Sequence, residues 1–282
     1  MADHLFSQVD VFAPAPLTGN PVAVVHDAAG VDDDAMAAFA RWTNLSETTF
    51  LLPPTAEGVA GGADYRLRIF TPGGELPFAG HPTLGSAHAW LERGGVPARE
   101  GVLVQECGIG LVQVRRGAGG ALSFRAPGFL RSGPLEADVL DEVVRGLRVD
   151  PSRVLRAAWI DNGPGWIGVQ LASADDVLAL RPDPSLRLDV GVIGAHAPGG
   201  PADHEVRAFV PGQGISEDPV TGSLNAGFAV WLVGEGVLPP DYVVRQGTVL
   251  GRSGDVRITS APDGTWVGGA CRTLVSGTVT LP

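Results

Sequence analysis

Lysine is absent. All 20 basic residues of the 282-residue chain are arginine, which excludes a Schiff base to pyridoxal phosphate or to a carbonyl substrate and also a Walker-type phosphate-binding lysine. Cysteine is scarce: Cys107 and Cys271 are too few for a disulfide framework or a four-cysteine metal site, and buried thiols are expected. Positive charge is scarce as well. A formal net charge of -11 argues against a broad grip on nucleic acid or an anionic membrane, with only a local arginine pair at Arg115 and Arg116. No uninterrupted apolar run approaches the roughly 20 residues of a spanning helix, so no membrane partner is expected. The opening MADHLFSQVDVF has neither a basic region nor a long apolar segment, which makes the cytoplasm the expected location. Trp42, Trp90, Trp159, Trp166, Trp231 and Trp266 are scattered, so they predict packing and not a stacking platform for bases. His196 and His204 lack a third ligand, and GLVQVRRGAGG does not open a helix, so neither a metal nor a dinucleotide is expected.

What the chain does have is glycine and proline, 40 and 23 residues, dispersed among apolar runs as in a loop-rich globular protein. The length allows one large domain or two of about 140 residues. An internal echo favours two. RLRIFTPGG (Arg66–Gly74) precedes GHPTLGSAHAWLERGGV, which ends at Val96; EVRAFVPGQG (Glu205–Gly214) precedes DPVTGSLNAGFAVWLVGEGV, which ends at Val237. Each copy reads as a β-prone run, a Pro-Gly turn, a polar loop and a helix that stops at glycine. The helices are predicted over Thr83–Arg93 and Ser223–Val233, and apolar residues all round them require burial. Strand pairs follow both, in GVLVQECGIGLVQVRR and DYVVRQGTVLGRSGDVRI, with Gln105 and Gln246 in equivalent places. Surface helices are predicted over Asp32–Thr43 and Pro134–Gly146, a domain boundary within Arg125–Pro134, and closing strands over Trp266–Val279.

Three segments can carry chemistry. In NLSETTF (Asn44–Phe50), Glu47 sits among uncharged neighbours, where desolvation makes a carboxylate useful as a general acid or base; a solvated loop glutamate is the plain alternative. In PFAGHPTLGS (Pro77–Ser86), His81 lies in a Gly-flanked turn beside helix-start amides that suit an anion. In ISEDPVTGSLNAG (Ile215–Gly227), Asp218 offers an acceptor and Ser223 a hydroxyl donor at the start of the second buried helix, unless they merely cap it.

These residues together resemble the PhzF-like phenazine-biosynthesis isomerases: NLSETTF with Glu47, FAGHPT with His81, EDPVTGS with Asp218 and Ser223, TGNP at Thr18–Pro21, and the late Gln246–Gly247. The resemblance spans nearly the whole chain. It implies an α/β (α+β) diaminopimelate-epimerase-like fold, two similar domains each wrapping a mostly antiparallel sheet around a central helix. The expected domains are residues 1–128, completed by a C-terminal strand within 268–282, and residues 129–267, with the active site in the cleft between them. It also implies a cofactor-independent isomerase like those acting on trans-2,3-dihydro-3-hydroxyanthranilate, working as a homodimer on a small carboxylate. Carried over, Glu47 moves the proton, while His81, Asp218 and Ser223 assist or bind, and Asn20, Gly80, Gly222 and Gln246 contact the substrate. Related racemases use paired cysteines at the two helix starts, and AGHPT and VTGSL contain none. The competing expectations are an epimerase or racemase that works without thiols and a metabolite-binding protein without turnover.

Overall fold

The structure, a computed structural model, describes residues 1–213 and 216–282. Gly214 and Ile215, which end and begin two of the segments read above, lie outside the described residues. Contacts divide the chain into two units, one formed by Met1–Arg125 with Gly268–Pro282 and the other by Ala126–Val267.

The first unit contains strands β1 (Ala2–Val11), β2 (Asn20–Val25), β3 (Glu47–Leu52), β4 (Tyr65–Thr71), β5 (Gly74–Leu76), β6 (Val102–Cys107), β7 (Gly110–Arg116) and β8 (Leu122–Arg125). Its helices are α1 (Asp33–Thr43), α2 (Ala56–Ala60) and α3 (Gly80–Glu92). The C-terminal strand, Cys271–Leu281, runs antiparallel to β1, which pairs antiparallel with β2. From there β2 is parallel to β3, β3 antiparallel to β4 and β4 parallel to β6, after which β7 and β8 follow antiparallel. Helix α3 packs against β1, β2, β3, β8 and the C-terminal strand, that is, against strands from both ends of this order. The sheet therefore curls around the helix, and α3 has no wet face along most of its length. Small residues make this possible: a Cβ on Gly85 would stand 2.3 Å from Val22 Cγ1. Two polar side chains on α3 find partners inside, Ser86 with its Oγ 2.9 Å from Thr49 Oγ1 and Thr83, whose Oγ1 accepts from Gln105 Nε2.

On the outside of this sheet, α1 starts where Asp32 Oδ1 accepts from the Ala35 amide and stops at Asn44, whose φ of 53° is left-handed. Met36, Phe39 and Ala40 pack on Val25, Phe50 and Phe70, and Phe50 and Phe70 meet edge to face at 5.6 Å.

The second unit contains β9 (Arg131–Pro134), α4 (Ala137–Leu147), β10 (Val154–Asp161), β11 (Ile167–Leu171), α5 (Ala174–Ala179), β12 (Val190–Ala195), β13 (His204–Phe209), β14 (Glu217–Asp218), α6 (Gly222–Phe228), β15 (Asp241–Gln246) and β16 (Gly254–Ala261). The order of pairings recurs: β9, β10 and β11 antiparallel, β11 parallel to β12, β12 antiparallel to β13, β13 parallel to β15 and β15 antiparallel to β16. Helix α6 packs on β10, β11 and β16. Val139, Val143 and Leu147, spaced by four, turn one face of α4 onto Val169, Val192 and Phe209. Arg207 on β13 is buried, pairs both nitrogens of its fork with Glu217 on β14, and donates a further hydrogen bond to the Leu180 carbonyl at 2.8 Å.

Three helix boundaries differ from the sequence expectation. α3 begins at Gly80 and not at Thr83, because Pro82 falls in the first turn, where its missing N–H has no intrahelical acceptor to lose. The second surface helix begins at Ala137, since Pro134 still belongs to β9, opposite Ala158. The single helix expected over Ser223–Val233 is α helix only to Phe228 and continues through Ala229–Val233 in wider π turns.

Candidate active site

In the first unit the site forms where β2, β3 and α3 begin. Asp10, buried on β1, accepts from the backbone amides of Thr18 and Gly19 at 3.1 and 3.0 Å and so fixes the TGNP turn. Gly19 is required there, because a Cβ would meet the Val11 carbonyl oxygen at 2.0 Å. The turn delivers Asn20 to the start of β2, alongside the β3 strand opened by Glu47. The Asn20 amide nitrogen lies 3.5 Å and Glu47 Oε2 3.4 Å from His81 Nδ1. Asn20, Glu47 and His81 are therefore brought together, and Gly80, the first residue of α3, is buried beside His81.

His81 is 3% exposed, and burial drives its pKa from 6.5 down to about 3, only partly opposed by its hydrogen bond to the Pro21 carbonyl. The ring is neutral at ordinary pH, so its contact with Glu47 joins a carboxylate to a neutral imidazole and is not an ion pair. Nε2 has no hydrogen-bond partner among the described residues. The Pro21 bond therefore assigns the hydrogen to Nδ1 and leaves Nε2 as a lone pair able to accept. The Glu47 side chain keeps 12% of its surface open.

In the second unit Asp218, Gly222, Ser223 and Gln246 gather around the start of α6. Asp218 Oδ2 accepts from Thr221 Oγ1 at 2.5 Å, and Thr221 Oγ1 in turn accepts from Gln246 Nε2 at 2.9 Å. Gln246 Oε1 accepts from the Thr221 amide and from Asn225 Nδ2. Both ends of the Gln246 amide are thus engaged in holding the segment before α6, and the side chain is fully buried. Ser223 is held from the turn after β10: Trp166 Nε1 donates to its Oγ at 3.0 Å and Asn162 Nδ2 to its carbonyl at 2.8 Å. Sequence reasoning passed over Thr221, Asn225, Asn162 and Trp166. Thr221 and Asn225 flank Gly222 and Ser223, so their nearness was a signal, but Asn162 lies 61 residues away and gave none.

Cys107 closes β6, and Cys271 opens the C-terminal strand opposite Val11; both are free thiols. Burial raises both, Cys271 to about 12, so neither is a ready thiolate. Among the described residues no group of three or more His, Cys, Asp or Glu side chains could hold a metal ion, and no helix is long and apolar enough to cross a membrane.

Sheets packed on buried helices, with an imidazole or a hydroxyl in the first helical turn and a carboxylate on a nearby strand, are an arrangement suited to an enzyme of small molecules. Residues 9–281 match the family described as phenazine biosynthesis-like protein. The chain belongs to this family and is an isomerase of the PhzF-like group within the diaminopimelate-epimerase-like superfamily. It is 35% identical to Antisense-enhancing sequence 1 of Schizosaccharomyces pombe, over 98% of this chain and 99% of that protein. It is also 35% identical to the trans-2,3-dihydro-3-hydroxyanthranilate isomerase of Pseudomonas aeruginosa, over 88% of this chain and 87% of that enzyme. A PhzF-family crystal structure from Enterococcus faecalis superimposes with a TM-score of 0.80 at 25% identity, covering 99% of this chain and 100% of that one.

Proposed function

We propose that this isomerase moves a proton on a small acid bearing an amine or hydroxyl, with Glu47 as the group that takes and returns it. The observation that carries the reading is Glu47 beside an imidazole held neutral. A ring protonated only near pH 3 is a poor proton carrier at neutral pH, which leaves the task to the carboxylate. His81 then serves as an acceptor, its Nε2 lone pair taking an N–H or O–H of the substrate. Asp218 and the hydroxyl of Ser223, with Gly222 amide support, bind the substrate's amine and carboxylate groups. A carbanion next to a conjugated acid is stabilised by orientation and electrostatics, so the reading calls for no electron-sink cofactor. The substrate class suggested by the P. aeruginosa relative is a dihydro-hydroxyanthranilate.

The test is trans-2,3-dihydro-3-hydroxyanthranilate in deuterated water, followed by NMR. Wild type shifts the double bond with uptake of deuterium. Glu47→Gln keeps the volume but loses the titrating group, so turnover falls by about 100-fold or more while binding persists. Undiminished turnover in that variant refutes the role. Stereoinversion with deuterium gained at the stereocentre would point to an epimerase instead, and tight binding with no exchange to a binding protein.

A further inference from the structure

Ser223 is gripped by two residues of a single turn. β10 ends at Asp161, whose Oδ1 accepts from the amides of Gly163 and Gly165 at 2.7 and 2.8 Å. Both glycines have positive φ, 149° and 89°, which the tight return of the chain needs. The turn leaves Asn162 and Trp166 buried, at 6% and 1% exposure. An indole N–H only donates, so Trp166 occupies a lone pair of Ser223 Oγ and leaves the hydroxyl hydrogen to be given elsewhere. Asn162 uses its amide nitrogen on the Ser223 carbonyl, while its own Oδ1 is buried with no hydrogen-bond partner among the described residues. A buried amide oxygen without a donor is destabilising unless a bound group supplies one.

We infer that the Asp161–Trp166 turn is a substrate-recognition element, in which Trp166 holds Ser223 Oγ so that its hydroxyl hydrogen is given to a carboxylate and Asn162 Oδ1 accepts from an amine or hydroxyl beside that carboxylate. This rests on the proton-transfer reading and extends it: the acids taken are those with a hydrogen-bond donor adjacent to the carboxyl group. Asn162 would touch the ligand, whereas Trp166 is a positioning residue that acts through Ser223.

The test uses two aromatic probes and calorimetry on the full chain: 3-hydroxyanthranilate, whose amine flanks the carboxylate, and 3-hydroxybenzoate, which lacks the amine. Wild type binds the first about 10-fold or more tightly than the second. Asn162→Ala lowers that ratio several-fold, the remainder being what Asp218 contributes to the amine, and the ratio is insensitive to any general loosening because both probes share it. Trp166→Phe keeps a large ring without the N–H and weakens both probes by about 10-fold, yet has no further effect in a Ser223→Ala background. An unchanged ratio in Asn162→Ala, or an additive loss in the Trp166→Phe/Ser223→Ala double variant, overturns the inference. If neither probe discriminates while Glu47 still governs deuterium exchange, recognition by this turn fails and proton transfer stands. If the binding pattern appears as expected while Glu47→Gln exchanges fully, the base assignment falls instead.

Discussion

Acid should destabilise this protein through one ring in particular. In the unfolded chain His81 protonates near 6.5, whereas burial in the folded unit lowers its pKa to about 3. Between those values the unfolded state binds a proton that the native state refuses, so stability present above pH 6.5 is lost as pH falls toward 3. From about pH 8 to about pH 5 the unfolded imidazole moves roughly 1.5 pH units below its pKa, worth about 2 kcal/mol. The figure does not depend on how low the folded value lies, because at pH 5 the buried ring is neutral in any case. The assay is urea unfolding at both pH values, for wild type and for His81→Gln, which has nothing to titrate. The acid-induced loss should be about 2 kcal/mol smaller in the variant, a relative midpoint shift of about 1 M at a slope near 2 kcal/mol/M. His26, His88 and His204 are also lowered by burial, but they are common to both proteins and cancel in the comparison. Equal acid losses in the two proteins, or an NMR titration of the native His81 ring near 6.5, would refute the reasoning.

Two further outcomes follow from packing. Arg207→Met leaves Glu217 buried without its fork-shaped partner and should cost about 3–5 kcal/mol, read as a lower urea midpoint; a loss within about 0.5 kcal/mol would show that the pair is replaceable. Gly85→Ala drives a methyl group into Val22 and should cost about 1–3 kcal/mol despite the better helix propensity of alanine, and Val22→Ala in the same chain should restore part of it. Thermal denaturation measures both single variants and the pair, and a stabilised Gly85→Ala would contradict the close approach of α3 to β2.

Much of the local structure was legible in the sequence because its causes are local. The acidic run Asp32–Asp34 announced the start of α1 by its fit to a first helical turn, the all-round apolar pattern of the two central helices announced their burial, and the Pro-Gly turns located the strands before them. His81 was misplaced by one structural step: Pro82 reads as turn punctuation, but in a first helical turn proline is tolerated, so the imidazole sits in α3 and is buried with it. The segments carrying Glu47, His81 and Ser223 stood out because polar residues interrupt apolar surroundings there. The groups that hold them did not stand out. Asp10 fixes the turn before Asn20 from a neighbouring strand, Gln246 reaches Thr221 from β15, and Trp166 reaches Ser223 from the turn between β10 and β11. Such bonds join residues whose separation in the chain carries no periodicity, so pattern alone does not reveal them.

The pairing of Ala2 with Leu281 also governs when each unit can be completed on the ribosome. Every residue of the second unit has been synthesised before the strand that completes the first unit emerges. β1 must therefore wait, with one edge unpaired, through the synthesis of more than 250 residues, while the second unit has all its own strands available earlier. A waiting apolar edge is a site for wrong partners. The first unit, which carries Glu47 and His81, is thus the last to acquire its native shape, and the sheet around α3 stays open until Cys271–Leu281 has emerged.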